Sequence, residues 1–197
     1  MFALVSFLCV GISWAADPFV WPLPSTYTIS SSNDLNVANS FNITTSSSSS
    51  ILQNVIQRYM REIIFTHTPD GTPSSPLVTS LSVTAKSSDE TLQLGVDESY
   101  TLAIKTGEAS LSANTIYGAM RGLETFSQLV TFNYTLGYYQ TSTSSITDSP
   151  RFPWRGILID SSRHYQSVRS IKRVIESMSF AKLNTLHWHI VDTQSFP

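Results

Sequence analysis

Along the chain the spacing of apolar residues switches between two periods, and each switch marks an element. From Ile51 to Phe65 the positions Leu52, Val55, Ile56, Tyr59, Met60, Ile63 and Ile64 recur every three or four residues, which predicts a helix. The serine run Ser46 to Ser50 leads into it as a surface loop and offers a hydroxyl to cap its first free amides. Asp70-Gly71 with Pro69, Pro73 and Pro76 predicts a loop. The period then falls to two. Leu81, Val83 and Ala85 alternate with polar residues within Leu77 to Ala85. Leu92, Leu94 and Val96 do so within Thr91 to Val96, and Tyr100, Leu102 and Ile104 within Tyr100 to Lys105. All three stretches predict half-buried strands. Gly107-Glu108 turns the chain into a fourth, Ala109 to Ala113. Helical spacing returns from Asn114 to Val130 on Ile116, Ala119, Met120, Leu123, Phe126 and Leu129, with Asn114 as N-cap. Together these elements read as an α+β domain of antiparallel strands with helices on one face.

Asp148 to Trp154 is punctuated by proline and aromatic residues and reads as a boundary. Beyond it, Gly156 to Asp160 is apolar on both faces and Val168 to Ala181 is helical on Ile171, Val174, Ile175 and Met178. Leu183 to Val191 is apolar again and ends at Asp192. Strand, helix and strand, with both strands apolar throughout, predict a parallel βαβ unit. Each strand finishes in a charged group at its C-terminal end, where parallel-sheet folds bind their ligands.

Composition narrows the function. Charged residues make up 13% of the chain and the formal charge is −2, with no Lys/Arg run. Nothing in that balance favours nucleic acid or an anionic membrane surface. Phe2 to Ile12 is almost wholly apolar and Ser13-Trp14-Ala15 follows, which predicts a signal peptide cleaved after Ala15. The alternative is a buried N-terminal strand; a membrane span is less favoured, since about 20 apolar residues are needed and the run is shorter. Cys9, the only cysteine, falls inside the signal, so the secreted chain has no thiol nucleophile and no Cys-based zinc site. Asn42-Ile43-Thr44 and Asn133-Tyr134-Thr135 are glycan acceptor triplets, placing the protein in the secretory pathway. The organisation is residues 1–15 as signal, 16–150 as the α+β domain and 151–197 as the start of a second domain.

The second region carries a specific resemblance. Arg155-Gly156-Ile157-Leu158-Ile159-Asp160-Ser161-Ser162-Arg163-His164-Tyr165 resembles the first barrel strand of glycoside hydrolase family 20, the β-N-acetylhexosaminidases. Lys182-Leu183-Asn184-Thr185-Leu186-His187-Trp188-His189-Ile190-Val191-Asp192 resembles the second, and Pro150-Arg151-Phe152-Pro153 the lead-in. The preceding α+β stretch is similar in type to the non-catalytic domain of that family. The resemblance implies a (β/α)8 barrel. It also implies hydrolysis of terminal N-acetylglucosamine or N-acetylgalactosamine from glycans, with the substrate's own acetamido oxygen as nucleophile. It implies no cofactor or metal, a lysosomal, vacuolar or extracellular location, and a homodimer formed through later parts of the barrel.

Individual residues admit two readings each. Arg163, just past a strand end, presents a donor fork suited to paired sugar hydroxyls, and the resemblance gives it that substrate-binding role; otherwise it pairs with Asp160 or Asp192 to hold the loop. Asp192 could orient a histidine or tune an acid, and the resemblance places it in the network behind the acid/base glutamate; the alternative is a helix N-cap or loop bond. His187 and His189 could bind a metal, as in amidohydrolase barrels, or hydrogen-bond to neighbouring elements. Strict alternation would put them opposite Asp192. Trp154 and Trp188 could stack on a sugar, although Trp188, in mid-strand, reads as core. Asp160 and His164 support the arginine loop. Asp89-Glu90 and Asp97-Glu98 read as solvated turns. Where the family has a second acid after Asp192, this chain has Thr193.

The adjacent Asp-Glu pair that the resemblance calls for, one to orient the acetamido group and one to protonate the leaving oxygen, belongs further along the barrel. A closed barrel takes about 250 residues, so residues 151–197 supply only its first strands and a chain ending there is expected to be inactive. A secreted, non-catalytic sugar-binding module is the alternative of a different class.

Overall fold

A computed structural model describes residues 20–196 of the 197. The signal segment expected at 1–15, with Cys9, lies outside them. Residues 26–148 form one eight-stranded sheet. Its strands are β1 (Thr26–Ile29), β2 (Leu35–Thr45), β3 (Leu77–Ala85), β4 (Tyr100–Ile104), β5 (Gly107–Ala113), β6 (Thr131–Asn133), β7 (Tyr138–Thr141) and β8 (Ser144–Asp148). They lie in the order β1-β8-β4-β5-β3-β2-β7-β6.

The sheet is mixed, which corrects the expectation of a purely antiparallel one. β2 pairs with β3, and β3 with β5, in parallel. For β2 and β3 the cause is the first helix, α1 (Ser50–Arg58), which carries the chain over the sheet to a parallel neighbour, as a crossover must; β3 and β5 come to run parallel because β4 intervenes and pairs antiparallel with β5. Ser49 caps α1, its side chain accepting from the Leu52 amide, as the serine run suggests. The helix runs on through a π-helical turn, Tyr59–Ile64. The second helix, α2 (Ile116–Leu129), is capped by Thr115 and not by Asn114; Thr115 accepts from Gly118 N, whereas Asn114 donates to Asp97.

Alternation along the strands sends one set of side chains beneath the helices. Leu81, Leu102, Ile104, Leu111 and Ile146 meet Leu52, Ile116, Leu123 and Phe126 there, all fully buried. Burying each such side chain contributes about 1.5–3 kcal/mol. α2 approaches β5 closely: a Cβ on Gly122 would overlap the Leu111 side chain, and one on Gly118 the Ser99 carbonyl. The opposite face is hydroxyl-rich, with Thr84, Thr101, Ser110, Ser112, Ser145 and Thr147 exposed.

Thr91 to Val96 is a loop and not a strand. Leu92 and Leu94 are exposed and no strand pairs there, so the period-two pattern had no partner to bury it. Just ahead of that loop Glu90 is exposed, as expected, and has a further role. Its carboxylate accepts from Ser49 Oγ (2.8 Å), Ser50 Oγ (3.1 Å) and the Ile51 amide (3.1 Å), completing the cap of α1.

Beyond Pro150, β9 (Gly156–Asp160) and β10 (Thr185–His189) pair in parallel, with Thr185 opposite Gly156 and His189 opposite Asp160. The helix α3 (Val168–Phe180) connects them, capped by Ser167. This is the expected βαβ unit. Ile157, Leu158, Val168, Ile175 and Trp188 remain exposed among the described residues.

Candidate functional site

The C-terminal ends of β9 and β10 lie side by side, and the groups that follow them meet. Arg163 Nε donates to Asp192 Oδ2 at 2.9 Å. Asp160 Oδ2 stands 3.8 Å from the same nitrogen. The other Asp160 oxygen accepts from Ser162 N (3.0 Å), Ser162 Oγ (2.7 Å) and Arg163 N (3.2 Å), which folds the loop back on the strand end and supports the arginine as expected. Asp192 Oδ1 accepts from the Thr193 amide (2.6 Å), and Asp192 N donates to Ser195 O. Ser195 Oγ in turn donates to the Ser162 carbonyl, tying the two loops together.

Both carboxyls stay well inside the ionised range. The hydrogen bond from Ser162 lowers Asp160, and the Thr193 amide followed by Arg163 lowers Asp192. Strict alternation had set Asp192 opposite the histidines, but β10 ends at His189 and the residues after it leave the pleat. Arg163 is two-thirds exposed, its remaining donors facing open space. The site thus offers a fixed cationic fork held by two anions.

His187 is exposed and His189 half-buried, with its Nε2 shielded and unpartnered among the described residues. No cluster of three His, Cys, Asp or Glu arranged for a metal occurs among those residues. Trp188 is 42% exposed and donates from its indole nitrogen to Ser161 Oγ (2.9 Å); Trp154 and His164 are also exposed. Asn42 lies exposed on β2. Asn133 is half-buried in the β6–β7 turn, accepting from Thr135 N and Leu136 N and donating to Gln140 Oε1 at 2.8 Å.

A second polar centre joins the opposite ends of β9 and β10 to the large sheet. Glu98, read from sequence as a solvated turn, is 5% exposed. It accepts from Arg121 Nε at 2.8 Å, from Asn184 Nδ2 at 3.0 Å and from the Arg155 guanidinium. Burial opposes its charge, yet Arg121, Asn184 and Arg155 outweigh that and hold its carboxyl below the usual range. Nearby, Lys182 ends α3 with φ +54°, in the left-handed conformation that glycine usually supplies. Its side chain is buried, donating to Thr125 Oγ1 (2.6 Å) and Tyr100 Oη (3.0 Å), with Asp148 at 3.7 Å. Burial pushes its ammonium down to about 8. Nothing local in the sequence marks Glu98 or Lys182, because their partners lie 23 to 86 residues away.

Comparison with known proteins agrees with this arrangement. The family model described as "beta-acetyl hexosaminidase like" matches residues 20–129, and the catalytic-domain model of glycosyl hydrolase family 20 matches 152–197. Beta-hexosaminidase subunit B1 of Dictyostelium discoideum is 44% identical over 185 residues, covering 92% of this chain and 33% of that protein. Beta-hexosaminidase 1 of Arabidopsis thaliana is 45% identical over 202 residues, covering 91% and 37%. The chain therefore spans about a third of the length of these relatives. Among solved structures, the chitobiase of Flavobacterium johnsoniae superposes with a TM-score of 0.67 at 28% identity, over 90% of this chain and 28% of that one. The fold is an α+β unit followed by the first strands of a (β/α)8 barrel.

Proposed function

The chain belongs to glycoside hydrolase family 20, and from that premise we propose that the protein it contributes to hydrolyses terminal, non-reducing N-acetylhexosamine residues of glycans. The observation that carries this reading is the Arg163–Asp192 pair, set across the C-terminal ends of two parallel strands, where barrels place their ligands. In this reading Arg163 grips hydroxyls of the terminal sugar, and Asp192 fixes the guanidinium and extends a polar network toward the acid. The substrate's acetamido oxygen attacks the anomeric carbon and is expelled by water, retaining configuration. An adjacent Asp-Glu pair on later strands orients that group and protonates the leaving oxygen. The chain's own Asp-Glu dipeptides do not serve, since Glu90 caps a helix and Glu98 is clasped by two arginines.

The same proposal divides the chain into a signal at 1–15, a non-catalytic domain at 16–150 and the barrel's beginning from 151. It places the protein in the secretory pathway, in lysosome, vacuole or the extracellular space, with glycans on Asn42 and Asn133 and a dimer formed through later barrel elements. The exposed apolar residues on β9, α3 and β10 support it, being the faces that further barrel strands and helices would cover. The test is release of p-nitrophenol by the full-length protein. Cleavage of the N-acetyl-β-glucosaminide and galactosaminide, with no cleavage of the β-glucoside, is expected. Failure on both N-acetylated substrates overturns the assignment.

A further inference from the structure

We propose that Glu98 is a positioning residue for the sugar-binding end of the barrel, acting through the register of β9 and β10. The inference rests on the hydrolase reading for its kinetic consequence, but its geometry stands alone. Arg155 and Asn184 immediately precede the two strands and exchange main-chain contacts, with Asn184 N donating to Arg155 O (2.9 Å) and Arg155 N to Asn184 Oδ1 (3.0 Å). Both side chains then converge on the one Glu98 carboxylate. Eight residues further along each strand stand Arg163 and Asp192, which meet in the 2.9 Å pair. The two strands are thus pinned at both ends, by residues with the same offset.

That offset gives the clasp its effect. A slip of one residue between parallel strands turns one strand's side chains to the other face. It would bring Thr185 or Leu183 to the place of Asn184, and neither carries an amide to donate to Glu98. At the far end it would part Arg163 from Asp192. Glu98 is buried immediately ahead of β4, so the large sheet fixes where the barrel strands begin, and Arg121 of α2 adds a third partner to its carboxylate. A cleft of about 340 Å³ borders the clasp, lined in part by Arg121, Asp148, Arg155 and Lys182; it carries no ligand argument, because these groups already answer one another.

The test compares Glu98→Gln, Glu98→Asp and Arg121→Met in the full-length protein. Arg121 bonds Glu98 but makes no hydrogen bond to either strand, so its loss lowers stability while both strand-side bonds of the carboxylate remain. Glu98→Gln should lower kcat/KM about 100-fold, mainly through KM because Arg163 holds non-reacting hydroxyls, with Glu98→Asp recovering part of it. Arg121→Met should lower the melting temperature and leave KM within about twofold. Amide exchange should quicken across residues 156–160 and 185–189 in Glu98→Gln, and not across 107–113. If Glu98→Gln is insoluble, Asn184→Ala, which cuts the clasp on the β10 side, is read in the same ways. An unchanged KM together with unchanged exchange across the two strands overturns the proposal. If the wild type cleaves no N-acetylhexosaminide, the hydrolase reading fails and exchange alone decides the clasp.

Discussion

Arg163 reaches Asp192 through its Nε, leaving the terminal nitrogens of the guanidinium free of the aspartate. The pairing therefore aims the fork without consuming it, and the two readings of this arginine, loop holder and sugar ligand, are compatible.

Replacing Arg163 tests that geometry. Arg163→Ala removes charge-assisted hydrogen bonds of about 1.5–3 kcal/mol each, so kcat/KM on an N-acetylhexosaminide should fall roughly 10- to 150-fold in the full-length protein. Arg163→Lys keeps the charge but not the fork, and should recover little. Full recovery by lysine would mean that charge alone is read at this position.

The pH behaviour of the pair follows from the direction of its shifts. Asp192 and Asp160 lie below their ordinary value of 3.8 in the folded protein. Their contribution is present above that value and is lost only as pH falls through the lower folded one. The ratio of KM between Arg163→Ala and wild type should therefore stay constant from pH 7 to about 4.5. A ratio collapsing toward one within that window would show the pair titrating there.

Lys182 gives the opposite slope. Its folded value of about 8 lies below the ordinary 10.5, so the unfolded chain binds more protons between the two and stability rises with pH across that window. From pH 7.5 to 9.5 the gain should be about 2 kcal/mol, read as a higher urea midpoint, and Lys182→Met should abolish it. Above pH 10 the buried hydroxyls of Tyr59 and Tyr100, which burial pushes up, turn the slope downward.

Gly122→Ala tests the close approach of α2 to β5. The new methyl must displace Leu111, at a cost of about 1–3 kcal/mol despite the better helix propensity of alanine. A more stable variant would mean that the helix can lift from the sheet.

The two sequons should differ in occupancy. Asn42 lies open on the sheet's outer face, whereas the Asn133 amide already donates to Gln140 and sits in a closed turn. Glycopeptide mass spectrometry of the secreted full-length protein should find Asn42 the more completely modified. The reverse order would mean that the β6–β7 turn forms only after glycan transfer.

Much of the architecture was legible where periodicity was clean. Leu77 to Ala85 is a strand with the expected limits, and both apolar runs around α3 are parallel strands. β2 escaped because asparagine and serine dilute its apolar positions and the register breaks between Val37 and Asn42. β1, β6, β7 and β8 are short, and two of them lie at sheet edges, where alternation is weak. The loop at Thr91 to Val96 shows the converse, a strand pattern without a partner. At the site, Arg163 and Asp192 stood out because a local motif surrounds each. Glu98 did not, since its burial depends on Arg121, Arg155 and Asn184 arriving from three separate elements.

The hydroxyl-rich outer face of the large sheet has a further consequence. Serine and threonine do not titrate, so the hydration of Thr101, Ser110, Ser112 and Thr147 is the same in neutral and in acid medium. A surface wetted by carboxylates would shed charge, and with it colloidal repulsion, on passing from one to the other. This face keeps its affinity for water through any such passage.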